Sequence, residues 1–302
     1  MLSHESQLRA QRLAELPLVA SGPRSGLTDG SIGQVRDIWA HRELLGMLTR
    51  RELKARYKDS TLGFLWSLLR PLALLLIYYI ALGKFLGAAR AIPGFAIFMY
   101  TGLTAWNLFS ETVTSGTASI VTNGGLIKKV YLPREIFPLS SLGSSLFNFA
   151  IQLVVLTVAT VVTGGFPTGS RWLYLPLSLA VVLVWALAWG LALSAVNVYL
   201  RDVQYLVEIL LMIAFWACPI VYSWQLVSGA IGGTVWEKVY LANPMTLAVL
   251  GFQHTFWVEG DGQPVPPNLA LNLTVSLLVG LVAVWVAQRV FARLQGNFAQ
   301  EL

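Results

Sequence analysis

The chain has 302 residues, of which 56% are hydrophobic and only 12% charged, and its net charge is +6 at pH 7. Soluble domains carry about 25% charged residues, so this composition, with a mean hydropathy of +0.64, excludes an ordinary soluble protein and indicates several membrane spans. The basic surplus lies beside apolar segments, which argues against a nucleic-acid ligand. The single cysteine, Cys218, excludes an intramolecular disulfide and a cysteine metal cluster.

The N-terminal part of the chain is polar. Residues 1–35 mix charge, glycine, proline and serine without sustained periodicity, and they predict a cytosolic extension with no signal peptide. Residues 36–60 have a helical pattern and predict an amphipathic interface helix. A basic cluster in this helix leads directly into an apolar stretch, which is typical of the cytosolic face of a membrane protein. The cluster consists of Arg50, Arg51, Lys54, Arg56 and Lys58.

Residues 61–302 predict an all-α integral membrane domain with six transmembrane helices. The expected spans are residues 62–86, 95–120, 136–163, 172–200, 205–222 and 269–291. The pair Arg70–Pro71 predicts a bend near the start of the first span. Before the last span, residues 235–257 contain two apolar pieces separated by Asn243–Pro244. Each piece is too short to cross a hydrocarbon layer of ~30 Å, so both are predicted to be re-entrant half-helices.

The distribution of basic residues predicts the orientation. With a cytosolic N-terminus and six spans, only Lys84, Arg90, Arg171 and Lys238 of the 21 lysines and arginines lie outside. This asymmetry is typical of a multi-pass protein of the bacterial cytoplasmic membrane with both termini in the cytosol.

Residues that carry chemistry are few. No segment has the P-loop pattern, and the three histidines are scattered without a metal-ligand spacing, so we expect no metal site and no catalysis by this chain. Two acids fall inside spans, Glu111 and Glu208, and the simplest interpretation pairs them with a lysine such as Lys128 or Lys129 near the cytosolic end. Some aromatic residues fall at depth, where they could stack on sugar rings. These are Tyr78, Tyr79, Trp106, Phe109, Phe215 and Trp216.

Five segments together resemble a known family. They are RELKARYKDSTLGFLWSLLRPL (51–72), KKVYLPREIFPLSSLGSSL (128–146), NVYLRDV (197–203), PIVYS (219–223) and NPMT (243–246). In this order they resemble the membrane subunit of bacterial ABC-2-type polysaccharide exporters, which move O-antigen, teichoic acid, capsule or galactan chains. The resemblance covers residues 36–302.

The resemblance implies a permease homodimer bound to two P-loop ATPase subunits, which would hold the ATP and magnesium, while this chain would have no cofactor. It implies a lipid-linked, undecaprenyl-diphosphate-type polysaccharide as substrate and membrane lipid as surroundings. The stretch 41–59 would be the interface helix that opens the cytosolic gate. The substrate headgroup would be contacted by Arg50, Arg51, Lys54, Arg56 and Lys58, and by Arg70 in the first span. Coupling to the ATPase would use Lys128, Lys129, Tyr131, Pro133, Arg134, Glu135, Arg201 and Asp202. The half-helices around Asn243 and Pro244 would form the outer gate.

Three alternatives remain at this stage. A drug or lipid exporter permease would share the spans, but we do not expect it to share the segment 51–72. A secondary transporter would show an internal repeat, and none is evident between residues 62–163 and 172–291. A membrane glycosyltransferase would need a cluster of metal-binding acids, which the chain lacks.

Overall fold

The computed structural model describes residues 29–57, 65–129 and 132–302, and every regular element in these ranges is helical. The all-α fold expected from the sequence is confirmed. The α-helices of seven or more residues are α1 Asp29–Ala40, α2 Arg42–Tyr57, α3 Trp66–Tyr78, α4 Phe95–Thr122, α5 Ile136–Val162, α6 Tyr174–Tyr199, α7 Val203–Trp216, α8 Trp224–Ile231, α9 Val235–Leu241, α10 Pro244–Phe256 and α11 Leu269–Leu294. Shorter turns occur at Ala88–Ala91, Gly124–Ile127, Gly169–Leu173, Val258–Gly260, Gln295–Asn297 and Phe298–Glu301.

Four helical stretches in the described part of the chain are long and apolar enough to cross a membrane. They are Leu68–Phe85, Ile136–Val162, Gly169–Tyr199 and Leu269–Asn297. The first of them is not uniform. It passes through Pro71 inside α3 and changes to a π-helix at Tyr79–Phe85. The π-helix therefore begins more than two helical turns beyond the predicted bend at Arg70–Pro71. The chain is therefore a multi-pass membrane protein.

The other two expected spans have different characters. Helix α4 has 28 residues, which gives about 42 Å at 1.5 Å per residue, and it is long enough to cross but carries several polar side chains. Helix α7 has 14 residues and ends at Trp216, before the predicted end at residue 222. At about 21 Å it is shorter than a hydrocarbon layer of ~30 Å. The count of six spans thus stays a prediction.

Helices α4 and α6 form the centre of the molecule. They approach closely at two glycines, because a Cβ atom on Gly116 would lie 3.2 Å from the Cα atom of Gly190. They run in the same direction, since Asn197 Nδ2 near the end of α6 donates to the carbonyl oxygen of Thr117 near the end of α4 at 3.1 Å. Helices α5, α10 and α11 pack around this pair.

The break between helices α9 and α10 lies at Asn243–Pro244, as predicted from the sequence. The Asn243 side chain caps α10 by accepting a hydrogen bond from the Met245 backbone N–H at 3.0 Å, and Pro244 occupies the first helical position. Both features favour a helix start. Almost all of α10 is buried against α4 and α6, whereas α9 before it exposes Val235 and Trp236. A buried short helix is consistent with the half-helix expectation.

The amphipathic helix α2 lies along α5. Gly143 permits this approach, because a Cβ atom there would lie 2.9 Å from Thr49 Oγ1. The Glu52 carboxylate of α2 accepts hydrogen bonds from Ser140 Oγ at 2.5 Å and Ser144 Oγ at 3.2 Å on α5. Helix α2 is thus attached to the bundle by a partly buried polar contact as well as by its apolar face.

Candidate functional site

A cavity of about 1070 Å³ lies beside α4 and is bordered by α2, α3, α5 and α7. One stripe of α4 forms its floor, with lining residues that recur every three or four positions: Leu103, Asn107, Ser110, Thr114 and Ala118. This spacing places them on one face of the helix, and the stripe is about 22 Å long at 1.5 Å per residue. The floor therefore extends over most of the thickness of a hydrocarbon layer.

The wall between α4 and α5 is polar. Asn107 Nδ2 donates to Gln152 Oε1 at 3.1 Å, and one turn further along α4 the Glu111 carboxylate accepts from Asn148 Nδ2 at 2.6 Å. From the first pair to the second, the residue number rises by four in α4 and falls by four in α5, as expected for antiparallel helices. Asn148 and Gln152 are 3% and 4% exposed, so their amides are held in place while Asn107 and Glu111 face the cavity. The wall presents hydrogen-bonding groups at regular intervals.

Glu111 also accepts from Arg56 of α2, with which it forms an ion pair. The expected pairing of Glu111 with Lys128 or Lys129 is wrong, because both lysines follow the end of α4 and are exposed. The residues of the basic cluster do not all lie on one face of α2. At 100° per residue, Arg56 points about 200° away from Lys54, and this direction allows Arg56 to reach Glu111. Glu208 of α7 lines the same cavity, and among the described residues it forms no ion pair with a lysine.

Four of the six expected aromatic residues line the cavity: Tyr78, Trp106, Phe215 and Trp216. They form one cluster, since Phe215 stacks on Tyr78 at 6.0 Å between ring centroids and meets Trp106 edge-on at 5.8 Å. The other two, Tyr79 and Phe109, are not among the residues that line this cavity. Tyr79 packs against Phe95, and Phe109 lies behind Trp106 and is only 7% exposed.

The predicted headgroup contacts divide into two groups. Arg56 and Arg70 line the cavity. Arg50, Arg51 and Lys54 are exposed on α2 outside it, and the Arg51 guanidinium donates to Asn123 Oδ1 just after α4. Lys58 lies outside the described residues.

The predicted coupling residues collect at one end of the molecule, where α4 and α6 both end. Lys128 and Lys129 are exposed after the turn Gly124–Ile127, and Arg201 and Asp202 are exposed between α6 and α7. Pro133 is half-buried, and the Arg134 guanidinium lies 5.6 Å above the Phe298 ring. Tyr131 lies outside the described residues.

Glu135 differs from the other coupling residues because it is 4% exposed. Its Oε1 atom has no hydrogen-bond partner within the described ranges. Burial raises the pKa of this carboxyl group, and the neighbouring Arg134 opposes the shift. A buried side chain cannot contact another subunit without a local rearrangement, so the burial does not favour a direct docking role for Glu135.

Comparison with known proteins shows the family of the chain. The family model of the ABC-2 type transporter matches residues 43–257. The chain belongs to the ABC-2 type transporter family. All helices that border the cavity lie within the matched range, with the exception of the first residue of α2, Arg42.

Individual relatives of this ABC-2 type chain match over most of its length. It is 32% identical to the O-antigen export system permease protein RfbA of Myxococcus xanthus over 268 residues, which are 89% of this chain and 98% of the relative. The protein of the same name from Klebsiella pneumoniae is 28% identical, over 86% of this chain and 95% of the relative. The polysialic acid transport protein KpsM of Escherichia coli is 24% identical, over 76% of this chain and 88% of the relative.

The sequence analysis singled out Glu111 of the ABC-2 cavity but missed the amides Asn107, Asn148 and Gln152 beside it. Asn107 and Glu111 are four residues apart in one helix, and Asn148 and Gln152 are four apart in the next. Residues at this spacing share a helix face, and polar side chains in apolar helices turn toward a partner or a cavity. The matched spacing in neighbouring helices is the signal that could have predicted the polar wall.

Proposed function

We propose that this chain is the transmembrane subunit of an ATP-driven exporter that moves a lipid-linked polysaccharide across the bacterial cytoplasmic membrane. The observation that carries the proposal is the cavity wall, which combines an aromatic cluster with a row of amide and carboxylate groups. Sugar rings offer both C–H faces, which pack on aromatic rings, and hydroxyl groups, which need hydrogen-bond partners. The names of the relatives support a polysaccharide as the cargo.

Arg56 and Arg70 suit the charged end of this substrate. Guanidinium groups bind phosphate oxygens in a bidentate manner, and both side chains line the cavity next to its polar wall. We propose that they contact the diphosphate of an undecaprenyl-diphosphate-type carrier, while Arg50, Arg51 and Lys54 attract it from the surface of α2. No step of this process requires catalysis by this chain.

The ATPase is a separate subunit in this proposal. Lys128, Lys129, Arg201 and Asp202 provide an exposed charged surface at the end where α4 and α6 finish. Two P-loop subunits would dock there, with the ATP and magnesium bound on those subunits. Rigid helices such as α4 would carry movement of this surface to the cavity. In this orientation both chain termini lie in the cytosol.

A second copy of the chain would complete the pathway. Helices α3 and α7 both border the cavity, and α7 exposes large apolar side chains including Leu206, Leu210 and Ile213. Two cavities facing each other across a two-fold axis would enclose a channel wide enough for a glycan chain. The homodimer is therefore the assembly we propose.

Depletion of the gene tests the proposal. If the chain exports a lipid-linked glycan, depletion causes this glycan to accumulate in the cytosolic leaflet while surface glycan declines. The control is a strain that expresses the permease with an ATPase unable to hydrolyse ATP, which should show the same accumulation. Unchanged surface glycan after depletion would reject the proposal. A drug or lipid exporter is the alternative, and the hydrogen-bonding groups of the wall make it the less favoured one.

A further inference from the structure

A second, smaller cavity lies at the N-terminal end of α4. Its volume is about 220 Å³, and it is enclosed by the start of α8, the end of α10 and the loop that follows α10. Its walls combine rings and amides, namely Phe98, Trp224, Gln225, Gln253, His254 and Trp257. Phe98 of this pocket and Asn123 lie near opposite ends of α4, so the pocket is about 40 Å from the predicted ATPase surface at 1.5 Å per residue. We call it the exit pocket.

The walls of the exit pocket are fixed by contacts within the protein. Trp257 Nε1 donates to the carbonyl oxygen of Pro93 at 2.6 Å, and its ring meets Phe98 edge-on at 4.8 Å between centroids. Gln253 Nε2 donates to the carbonyl oxygen of Pro219 at 2.8 Å. The His254 ring meets the Tyr174 ring edge-on at 4.4 Å. A pocket built from such fixed groups can bind a ligand without first ordering its own side chains.

The charges in the exit pocket are balanced. Arg171 and Asp261 are the charged residues of its lining, and they form an ion pair with each other. Arg171 Nη1 has no hydrogen-bond partner in the described part of the chain, and a buried donor of this kind is commonly satisfied by a ligand or water. A balanced pair next to amides and aromatic rings favours a polar, uncharged ligand over a phosphate group.

We propose that the exit pocket binds one neutral sugar unit of the exported chain. The volume is below the roughly 300–1,000 Å³ of sites for drug-sized ligands, which fits a single pyranose ring and not a longer oligosaccharide. The rings provide surfaces for sugar C–H groups, and the glutamines provide hydrogen bonds for hydroxyl groups. The proposal rests on polysaccharide export as the function, and it adds a sugar site that is separate from the large cavity.

Cysteine protection tests this site in the complete permease–ATPase complex reconstituted in nanodiscs. The reporter is Gln225→Cys, which lies in the pocket lining, and the control is Leu226→Cys, the next residue of α8, which is 67% exposed and outside the lining. The native Cys218 is buried, and the complex without an added cysteine gives the background. A neutral methanethiosulfonate reagent is applied with methyl α-glucoside, α-mannoside or α-galactoside at about 50 mM, because a ligand of a dozen heavy atoms binds at millimolar strength.

We expect at least one glycoside to slow modification of Gln225→Cys threefold or more and to leave Leu226→Cys unchanged. Since removal of the Gln225 amide could itself weaken binding, Gln263→Cys in the loop after α10 is a second reporter. The site is rejected if neither reporter is protected, if the control slows equally, or if inorganic phosphate alone protects.

The depletion experiment keeps the two proposals distinguishable. Accumulation of lipid-linked glycan together with two unprotected reporters would reject the exit pocket and retain the export function. Protected reporters together with unchanged surface glycan would reject polysaccharide export and retain a sugar-binding pocket.

Discussion

The ion pair between Arg56 and Glu111 connects the amphipathic helix α2 to the cavity, and its strength can be measured. The perturbations are Arg56→Gln, Glu111→Gln and the double variant. The two side chains are 36% and 25% exposed, so the pair is neither fully solvated nor fully buried. Charges 4 Å apart attract by about 4 kcal/mol at an effective dielectric constant of 20, whereas exposed pairs contribute about 0.2–1 kcal/mol after screening and side-chain ordering. Partial exposure gives an expected coupling energy of about 1–2 kcal/mol.

The assay is thermal unfolding of the purified chain in detergent. For a domain of this size, each kcal/mol corresponds to about 2 °C in Tm, so each single variant should lower Tm by about 2–4 °C. The double variant should be at least as stable as the less stable of the two single variants, because the second substitution removes a charge that has already lost its partner. Arg50→Gln, an exposed position of the same helix, is the control and should leave Tm unchanged. Additive losses in the double variant would refute the coupling.

Three further predictions concern other parts of the molecule. Gly116→Ala should destabilise the protein by about 1–3 kcal/mol because the added methyl group separates α4 from α6. The control is Gly46→Ala in α2, where an added Cβ atom meets no atom within 4 Å and no loss of stability is expected. Equal Tm values for the two variants would contradict the close approach of α4 and α6. Burial raises the pKa of Glu135 in the folded chain, so the stability of the fold should fall as the pH rises from the ordinary carboxyl range through the raised pKa. Glu135→Gln should flatten that part of a plot of Tm against pH. An unchanged slope in this variant would show that the pKa of Glu135 is not raised. Reversal of charge at both Lys128 and Arg134 should abolish export and permease-stimulated ATP hydrolysis while the chain still folds, and survival of both activities would reject the docking surface.

Helix positions followed well from the sequence, and side-chain partners did not. The apolar stretches and the break at Asn243–Pro244 predict helices because hydrophobic length and capping are local properties. The partner of Glu111 depends on how α2 lies against α5, which is a matter of tertiary packing. A nearby lysine in the sequence was therefore a poor guide, and an arginine 55 positions away is the actual partner.

The aromatic residues illustrate the same limit. Trp106 and Phe109 are three residues apart in α4, so one turn of helix holds both, yet only Trp106 lines the cavity. Phe109 is buried behind it because α4 is packed on several sides. Hydrophobic periodicity identifies a helix that is surrounded by protein, but it does not reveal which of its faces borders a cavity.

The exposure of α7 is another property that the sequence did not reveal. Its apolar residues were expected to belong to a membrane span, and the helix by itself is shorter than a hydrocarbon layer of ~30 Å. Other residues of the same helix, including Glu208, Leu211 and Phe215, line the cavity. By composition alone, these exposed apolar side chains could be covered by a protein partner or by lipid. The adjoining cavity is what favours a second copy of the chain.

The most direct test of the central claim, that a glycan passes through the cavity beside α4, is photo-crosslinking during export. A photoreactive amino acid replaces Asn107 in the polar wall, and in a second strain it replaces Leu278 of α11, which is 58% exposed. Transport is stalled with an ATPase partner that binds but does not hydrolyse ATP. We predict a glycan-modified permease from the Asn107 position and none from the Leu278 position. Equal labelling at the two positions, or labelling at Leu278 alone, would contradict the proposed path.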